Sequence, residues 1–180
     1  MKAWPLCSAA CGLLLLALAG CDQSQGGTSK AESYTVKGDK LGMDLQEYQQ
    51  KHPGSCTGAS KTNSSQGEVV CPTPDTTYAG IKAERVASFY HGKLFEISYT
   101  FKTTDTDDMV AALTGKFGDP SKDDVGGGSA LIWRNGVSTV KCSQSQEAKQ
   151  SKISFSLDSL QSEAAAYKEK QKAESRKTDM

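Results

Sequence analysis

A strict alternation of apolar and polar side chains over residues 95–102 constrains the fold more than any other feature of the sequence. The apolar members are Phe95, Ile97, Tyr99 and Phe101. Successive side chains of a strand point to opposite faces, so this period of two predicts a half-buried β-strand. A three-residue connection, 90–92, predicts a hairpin that sets Ala87 opposite Phe95. The same register places Arg85 on the apolar face, which suits a charged side chain less well.

A second hairpin is predicted around Asn135 and Gly136, the preferred pair for a two-residue type I′ turn. The turn would join a strand at 130–134 to a strand at 137–142. One face of this hairpin would then carry Leu131, Trp133, Val140 and Cys142. The free thiol of Cys142 is therefore expected to be buried.

Two short helices are predicted. Asp44 can cap the first one, with Glu47 completing a capping-box pair, and Pro53 ends it. The second follows the acidic run 105–108, which places negative charge at the positive end of the helix dipole. Its apolar residues recur at three- and four-residue spacing, as Met109, Val110, Leu113 and Phe117. Gly118 stands where a C-cap glycine belongs.

The remaining predicted strands are short. They lie near 34–36, at 68–71 and at 153–157, and a turn is predicted at Pro72 and Pro74. Along the chain the order is helix then three strands, and again helix then three strands. This favours a two-layer α+β domain, in which a mainly antiparallel sheet carries both helices on one face as a possible tandem repeat.

Four segments are expected along the chain. Residues 1–20 are a signal peptide, 21–33 a flexible polar tether, 34–158 a single α+β domain, and 159–180 a charged, solvated helical tail. Leu, Ile, Val and Phe supply only 24 of residues 21–180, so the core is modest. That segment has 20 Lys and Arg against 21 Asp and Glu, a net charge of −1, which predicts no nucleic-acid binding and no electrostatic attraction to an anionic membrane.

The N-terminus contains the strongest motif. Lys2 precedes a short apolar segment, 9–19, which then runs through small residues into a cysteine, as Leu18-Ala19-Gly20-Cys21. This resembles the lipobox of bacterial lipoproteins, and the resemblance implies lipidation of Cys21 and cleavage before it. The alternative is an ordinary cleaved signal peptide. Asp22 is similar to a signal for retention in the inner membrane, with the outer membrane as the other possibility.

Three cysteines remain beyond the lipobox, in a compartment where disulfides persist. Cys56 and Cys71 flank a polar stretch, and closing a loop of about fifteen residues stabilises a fold by about 3 kcal/mol. We therefore favour a Cys56–Cys71 disulfide over any pairing with Cys142.

The lipobox followed by Leu41-Gly42-Met43-Asp44, a short helix and strands resembles the small SmpA/OmlA-type lipoproteins of outer-membrane assembly. The doubled unit of helix and sheet is similar to the β-lactamase-inhibitor-protein fold. Both resemblances cover residues 34–158 in outline. The segment between Cys56 and Cys71 has no counterpart in those families, so the resemblance implies an architecture and no functional residue.

The sequence shows no catalytic constellation. His52 near a helix end and His91 in a tight turn favour structural roles. Ser138 and Lys141 match a Ser-x-x-Lys motif, but on a strand their side chains point to opposite faces. No cysteine or histidine spacing is typical of a metal site.

Two further motifs favour structure over chemistry. The acidic run 105–108 lacks the glycine and glutamate of a calcium loop. The glycines 126–128 lack the strand, helix and lysine of a phosphate-binding loop. No cofactor, metal or small-molecule substrate is expected.

These features together predict a non-enzymatic protein of the bacterial cell envelope that faces the periplasm. Its partners would be the membrane, through the lipid on Cys21, and another envelope protein. The alternative function is inhibition of a secreted or host hydrolase, such as a lysozyme or a protease.

Overall fold

The computed structural model describes residues 31–56, 68–125, 128–145 and 147–178, and all of them belong to one compact unit spanning residues 31–180. The predicted signal peptide, Cys21 and most of the predicted tether lie outside the described residues. The helices and strands are β1 (Thr35–Val36), β2 (Asp39–Lys40), α1 (Leu45–Lys51), β3 (Glu68–Tyr78), β4 (Ile81–Tyr90), β5 (Lys93–Lys102), α2 (Thr106–Phe117), β6 (Ser121–Val125), β7 (Gly128–Arg134), β8 (Ser138–Ser145), β9 (Gln150–Leu157) and α3 (Asp158–Thr178).

Seven of the nine described strands form one sheet in the order β3-β4-β5-β9-β8-β7-β6, and every neighbouring pair is antiparallel. The two-residue strands β1 and β2 form a separate hairpin. The α+β class with a mainly antiparallel sheet is thus confirmed. β6 is a strand that the sequence pattern missed, because its residues Ser-Lys-Asp-Asp-Val carry no apolar alternation.

The β4–β5 hairpin has a tighter turn than predicted. His91 and Gly92 form a two-residue loop with φ of 48° and 74°, so the predicted three-residue connection is wrong. Ala87 pairs with Ile97 rather than Phe95, and a bulge follows Ser88. Because the shift is two residues, Ile97 stays on the predicted face, whereas Phe95 joins a different apolar cluster.

The β7–β8 hairpin has a longer turn than predicted. Arg134 pairs with Thr139, so four residues separate these paired positions, where the predicted type I′ loop has two. The Asn135 side chain explains the difference, because its Oδ1 accepts hydrogen bonds from the backbone N–H groups of Val137 (3.2 Å) and Ser138 (2.9 Å). The predicted buried face survives, again because the shift is two residues.

β3 continues through Pro72 and Pro74, where the sequence predicted a turn. Proline lacks an N–H to donate, and strands tolerate it at a sheet edge or at a bulge. Both conditions hold, since β3 is the outermost strand and its pairing with β4 is irregular between Thr73 and Thr76.

The helices follow the predicted bounds, with one difference at α1. Asp44 precedes α1, but its side chain makes no capping hydrogen bond. Its carboxylate instead lies 2.9 Å from Lys93 Nζ, so the predicted capping box is wrong. In α2, Met109 and Leu113 are fully buried, and Gly118, at a φ of 80°, ends the helix as predicted.

One face of the sheet carries the main core. Side chains of α1, α2 and the β1–β2 hairpin pack on it, and its fully buried members include Phe89, Ile97, Tyr99, Val140, Ile153 and Phe155. α3 lies on the opposite, more polar face, where Leu160, Ala164 and Tyr167 pack with Tyr90 and Phe95. Residues 168–170 and 172–176 of α3 are exposed.

Candidate functional site

The most unusual feature of the structure is a group of polar and charged side chains around the buried Asp39, here called the Asp39 cluster: Asp39, Tyr48, Lys51, His52 and Arg85. The turn between β1 and β2 positions Asp39, because Lys37 and Gly38 both adopt positive φ and fold the chain back on itself. Asp39 is then fully buried in the domain.

Two cations, Arg85 and Lys51, and the imidazole of His52 approach the Asp39 carboxylate. Arg85 Nη2 donates to Oδ2 at 2.5 Å, and His52 Nε2 lies 2.9 Å from both oxygens. Lys51 Nζ is 3.6 Å from Oδ1. A buried carboxylate is stable only when paired in this way, so the cluster explains why β4 tolerates an arginine on its apolar face.

Tyr48 and Arg85 extend the cluster into the core. Arg85 Nη1 donates to the Tyr48 hydroxyl at 3.0 Å, and its guanidinium also lies 5.4 Å from the centre of the Tyr48 ring. Burial raises the pKa of Tyr48 above its ordinary value, and the positive charge of Arg85 opposes that rise. The pKa of Tyr99 is raised for the same reason and opposed in the same way. Both phenols therefore stay protonated at neutral pH.

Among the described residues, no serine or cysteine side chain donates to the His52 imidazole. Ser55 Oγ donates to the backbone carbonyl of His52, at 2.8 Å, and not to the ring. Cys56, the next residue, is in a disulfide. The arrangement of carboxylate, imidazole and guanidinium holds α1 against the β1–β2 hairpin and β4.

The predicted disulfide between Cys56 and Cys71 is present. It joins the chain just after α1 to β3. Cys71, the β3 partner, is fully buried in the main core. The disulfide and the Asp39 cluster thus fasten the two ends of one region, namely the β1–β2 hairpin and α1.

Cys142 is the free cysteine of the described chain, and it is buried as predicted. Burial raises the pKa of its thiol to about 11. It lines an open cavity of 310 Å³ between α2 and the β6–β8 strands, together with Thr106, Val110 and Leu131. A buried, protonated thiol is a poor nucleophile, so we assign Cys142 to packing.

The other predicted candidates do not come together in the fold. His91 stands in the β4–β5 turn, with its ring centre 4.2 Å from that of Tyr90. Ser138 is buried and accepts a hydrogen bond from Tyr34 N at 3.3 Å, while Lys141 lies on the other face of β8. Within the described residues, no group of three His, Cys, Asp or Glu side chains could hold a metal ion.

The residues just before β1 contact the β7–β8 turn. Asn135 Nδ2 donates to Glu32 O at 2.8 Å, and Ser33 Oγ donates to Leu41 O at 2.9 Å. Tyr34 then packs on Phe117, with ring centres 5.0 Å apart. The chain therefore leaves the domain, toward Cys21, beside the β7–β8 turn.

Sequence reasoning missed Asp39, the central residue of the cluster. No sequence pattern predicts its position. β1 and β2 contain two residues each, which is too short for an alternation of apolar and polar residues, and no turn motif was recognised between them. The misfit of Arg85 on an apolar face was the one available signal. A buried arginine requires a partner of opposite charge, so its position predicts a buried carboxylate nearby.

No family model matches the sequence, and no curated protein matches it. Among solved structures, the chain is similar to a cysteine-rich secretory protein from Staphylococcus aureus subsp. aureus Mu50, at a TM-score of 0.42 and 11% identity. The match covers 72% of this chain and 50% of that one, so this chain spans half of that structure's length. A likeness of this degree carries no inference about fold or function. Among the described residues, no helix combines the length and apolar character needed to cross a membrane.

Proposed function

We propose that this protein is a lipid-anchored module of the bacterial cell envelope that binds another envelope protein and catalyses no reaction. The single observation that carries the proposal is the lipobox-like run that ends at Cys21. A cysteine lipidated there would hold the domain at a bilayer, since each buried methylene contributes about 0.8 kcal/mol and two or three chains make a lasting anchor.

The length of chain between anchor and domain supports a partner at the membrane. Nine residues, 22–30, separate Cys21 from Ala31, and the domain's contacts begin at Glu32. Fully extended, this segment spans about 35 Å. A domain restricted to that distance meets membrane-bound neighbours at a raised effective concentration, so even weak contacts suffice for binding.

The side-chain chemistry supports binding over catalysis. The imidazole of His52 is engaged by Asp39, and the buried thiol of Cys142 has a pKa raised to about 11. The buried thiol is therefore not an activated nucleophile, and the imidazole is held by a carboxylate inside the fold.

The finer architecture is part of the proposal. We propose that the domain is a tandem repeat of a helix and three strands, one half being α1 with β3–β5 and the other α2 with β7–β9, with β6 added at the edge of the sheet. The sheet order supports this, because it runs outward to β3 on one side and to β6 on the other from a junction at β5 and β9. The face that carries α1 and α2 would then be the inner layer of a two-layer unit, with α3 added outside the repeat.

Mass spectrometry of the protein extracted from membranes tests the anchor. We expect a mature N-terminus at Cys21 carrying acyl chains, and release of the Cys21→Ser variant into the soluble fraction. An unmodified cysteine at that position would contradict the proposal.

Photo-crosslinking in intact cells tests the partner, with the crosslinker placed at exposed positions of the domain. We expect one dominant envelope protein that is lost when Cys21 is replaced. Purified domain added to lysozymes and proteases tests the inhibitor alternative, which would replace this proposal if one of those hydrolases were inhibited stoichiometrically.

A further inference from the structure

The C-terminal part of α3, residues 168–178, carries a concentrated positive charge that the near-neutral total conceals. These eleven residues contain five Lys and Arg against two Glu, a net charge of +3. Residues 31–167 contain 14 Lys and Arg against 17 Asp and Glu, a net charge of −3. The molecule is therefore strongly asymmetric in charge, which its overall composition does not reveal.

This segment extends α3 past its packing on the sheet. The apolar contacts of α3 end with Tyr167, and the described side chains beyond it are exposed. Three cations, Lys168, Lys172 and Arg176, recur every four residues, a spacing that places them along one side of the helix. The segment contains no large apolar residue, so it offers charge and not an apolar groove or stripe.

α3 begins where the chain leaves for the anchor. Asp158 N donates to Val137 O at 3.1 Å, in the same β7–β8 turn whose Asn135 holds Glu32. From that point the helix runs 21 residues, or about 31 Å, to its cationic end. The tether thus leaves the domain beside the start of α3. The cations at the other end of the helix lie within one helix length of that point, which keeps them within reach of a bilayer.

We propose that residues 168–178 bind the anionic headgroups of a lipid bilayer, giving the domain a second attachment to the membrane and setting its orientation. The anchor part of this geometry rests on the proposed function. Each Lys or Arg near an anionic surface contributes a modest attraction, and these contributions add over a cluster of four to eight cations. The tether makes such a weak interaction effective, because it keeps the helix near the bilayer.

Vesicle binding by the chain without its leader tests the proposal, since residues 31–180 form one compact unit. Residues 22–180 are mixed with vesicles of pure phosphatidylglycerol or of pure phosphatidylcholine at low salt, and the bound fraction is measured by sedimentation. We expect a partition coefficient about a hundred-fold higher on the anionic vesicles. The preference should shrink as salt is raised.

A matched pair of variants separates this segment from general charge effects. Lys170→Gln, Lys172→Gln and Arg176→Gln together should abolish most of the preference. The control, Lys82→Gln, Lys102→Gln and Lys122→Gln, removes the same charge from exposed positions outside α3 and should leave it intact. Far-UV circular dichroism verifies that both variants keep the helix.

Equal binding to the two vesicle types, or equal losses in the two variants, would overturn the proposal. The test does not depend on the lipid anchor, because the protein used has no Cys21. A failure here would leave the proposed function standing, and an unlipidated Cys21 in cells would leave this result standing.

Discussion

Arg85 lies between Ala83 and Ala87 on a strand face that is otherwise apolar, and it is almost completely buried. Its charge is balanced by Asp39, which comes from a short hairpin 46 residues earlier in the chain. Buried ion pairs add little net stability compared with a well-packed apolar pair, but breaking one leaves a charge without a partner. The Asp39–Arg85 pair therefore acts mainly to specify where the β1–β2 hairpin and α1 attach.

Asp39→Asn should lower the free energy of unfolding by about 3–5 kcal/mol, because it leaves the buried guanidinium of Arg85 without a counter-charge. Urea unfolding followed by circular dichroism measures the change.

The double variant Asp39→Asn with Arg85→Met is the informative control, since it removes both charges. The double variant should recover at least half of the lost free energy of unfolding. A second control is Glu84→Gln, at an exposed position of the same strand, which should change stability by less than about 0.5 kcal/mol. A double variant as unstable as the single one would show that packing, and not the unpaired charge, is responsible.

Because of Cys142, we expect the free energy of unfolding to depend on pH in the alkaline range. Burial raises the pKa of its thiol from 9.0 to about 11, so the unfolded chain releases this proton first. Between pH 9 and 11 the folded state binds more protons than the unfolded state, and stability falls as the pH rises. The expected loss from this group at pH 10 is about 1 kcal/mol relative to pH 8.

Comparison with Cys142→Ala isolates that contribution, because the tyrosines and lysines titrate equally in both proteins. Tyr78, whose pKa is raised to about 12, adds its own loss only above pH 10. Unfolding free energies at pH 8 and pH 10 should differ more for the parent than for the variant, and equal differences would contradict a buried, protonated thiol.

At the scale of the elements, the sequence predicted faces well and registers poorly. Both hairpins shift by two residues from the predicted pairing. Because a two-residue shift preserves the side of the sheet, the predicted buried faces remain except at Phe95, beside the bulge after Ser88. The turns set the register through φ of His91 and the side chain of Asn135, which are local details that a pattern of apolar residues does not contain. α2 was predictable because the spacing of its apolar residues and the position of Gly118 both indicate a helix that ends at residue 117.

The Asp39 cluster was not predictable for a related reason. Its members come from β2, α1 and β4, and only the tertiary fold brings them together. The disulfide was predictable because the loop between Cys56 and Cys71 is short and needed no knowledge of the fold.

The disulfide makes a testable contribution to the joining of α1 to β3. Cys56→Ala with Cys71→Ala should lower the free energy of unfolding by about 3 kcal/mol, the value for a closed loop of this length. Unfolding of both proteins, measured with and without reductant, checks it. Reductant should have no effect on the double variant, and a parent domain insensitive to reductant would contradict the prediction.

The packing of α3 can be tested with two alanines of the same helix. Ala164 is almost completely buried against Tyr90 and Phe95, whereas Ala166 is exposed. Ala164→Glu should destabilise the domain by about 2 kcal/mol, because it places a carboxylate in an apolar contact without a partner, and Ala166→Glu should change stability by less than about 0.5 kcal/mol. Chemical denaturation measures both, and similar values for the two variants would mean that α3 does not pack on the sheet.

At the scale of the molecule, one core joins the two halves of the sheet. Ile97 and Tyr99 of β5 and Ile153 and Phe155 of β9 are neighbours in register at the junction, and all four are fully buried. A core that spans the junction couples the halves, so the domain should unfold in a single cooperative step.

The fluorescence of Trp133, in β7, measures this coupling, because Asp39 contacts β4 in the other half of the sheet. Trp133 is the only tryptophan in residues 22–180. In the Asp39→Asn variant, the urea midpoint from Trp133 fluorescence should fall by the same amount as the midpoint from circular dichroism. A fluorescence midpoint that stays at the parent value would show that the halves unfold independently.

The prolines of β3 have a consequence for a protein crowded on a surface. An uninterrupted outermost strand offers a row of donors and acceptors to any neighbouring copy, and such rows template fibre growth. Pro72 and Pro74 have no N–H to donate, and the register with β4 shifts between Thr73 and Thr76, so this edge strand is not a regular template. Copies confined to a two-dimensional layer would collide far more often than copies in solution, so a strand that resists lateral polymerisation keeps them as separate molecules.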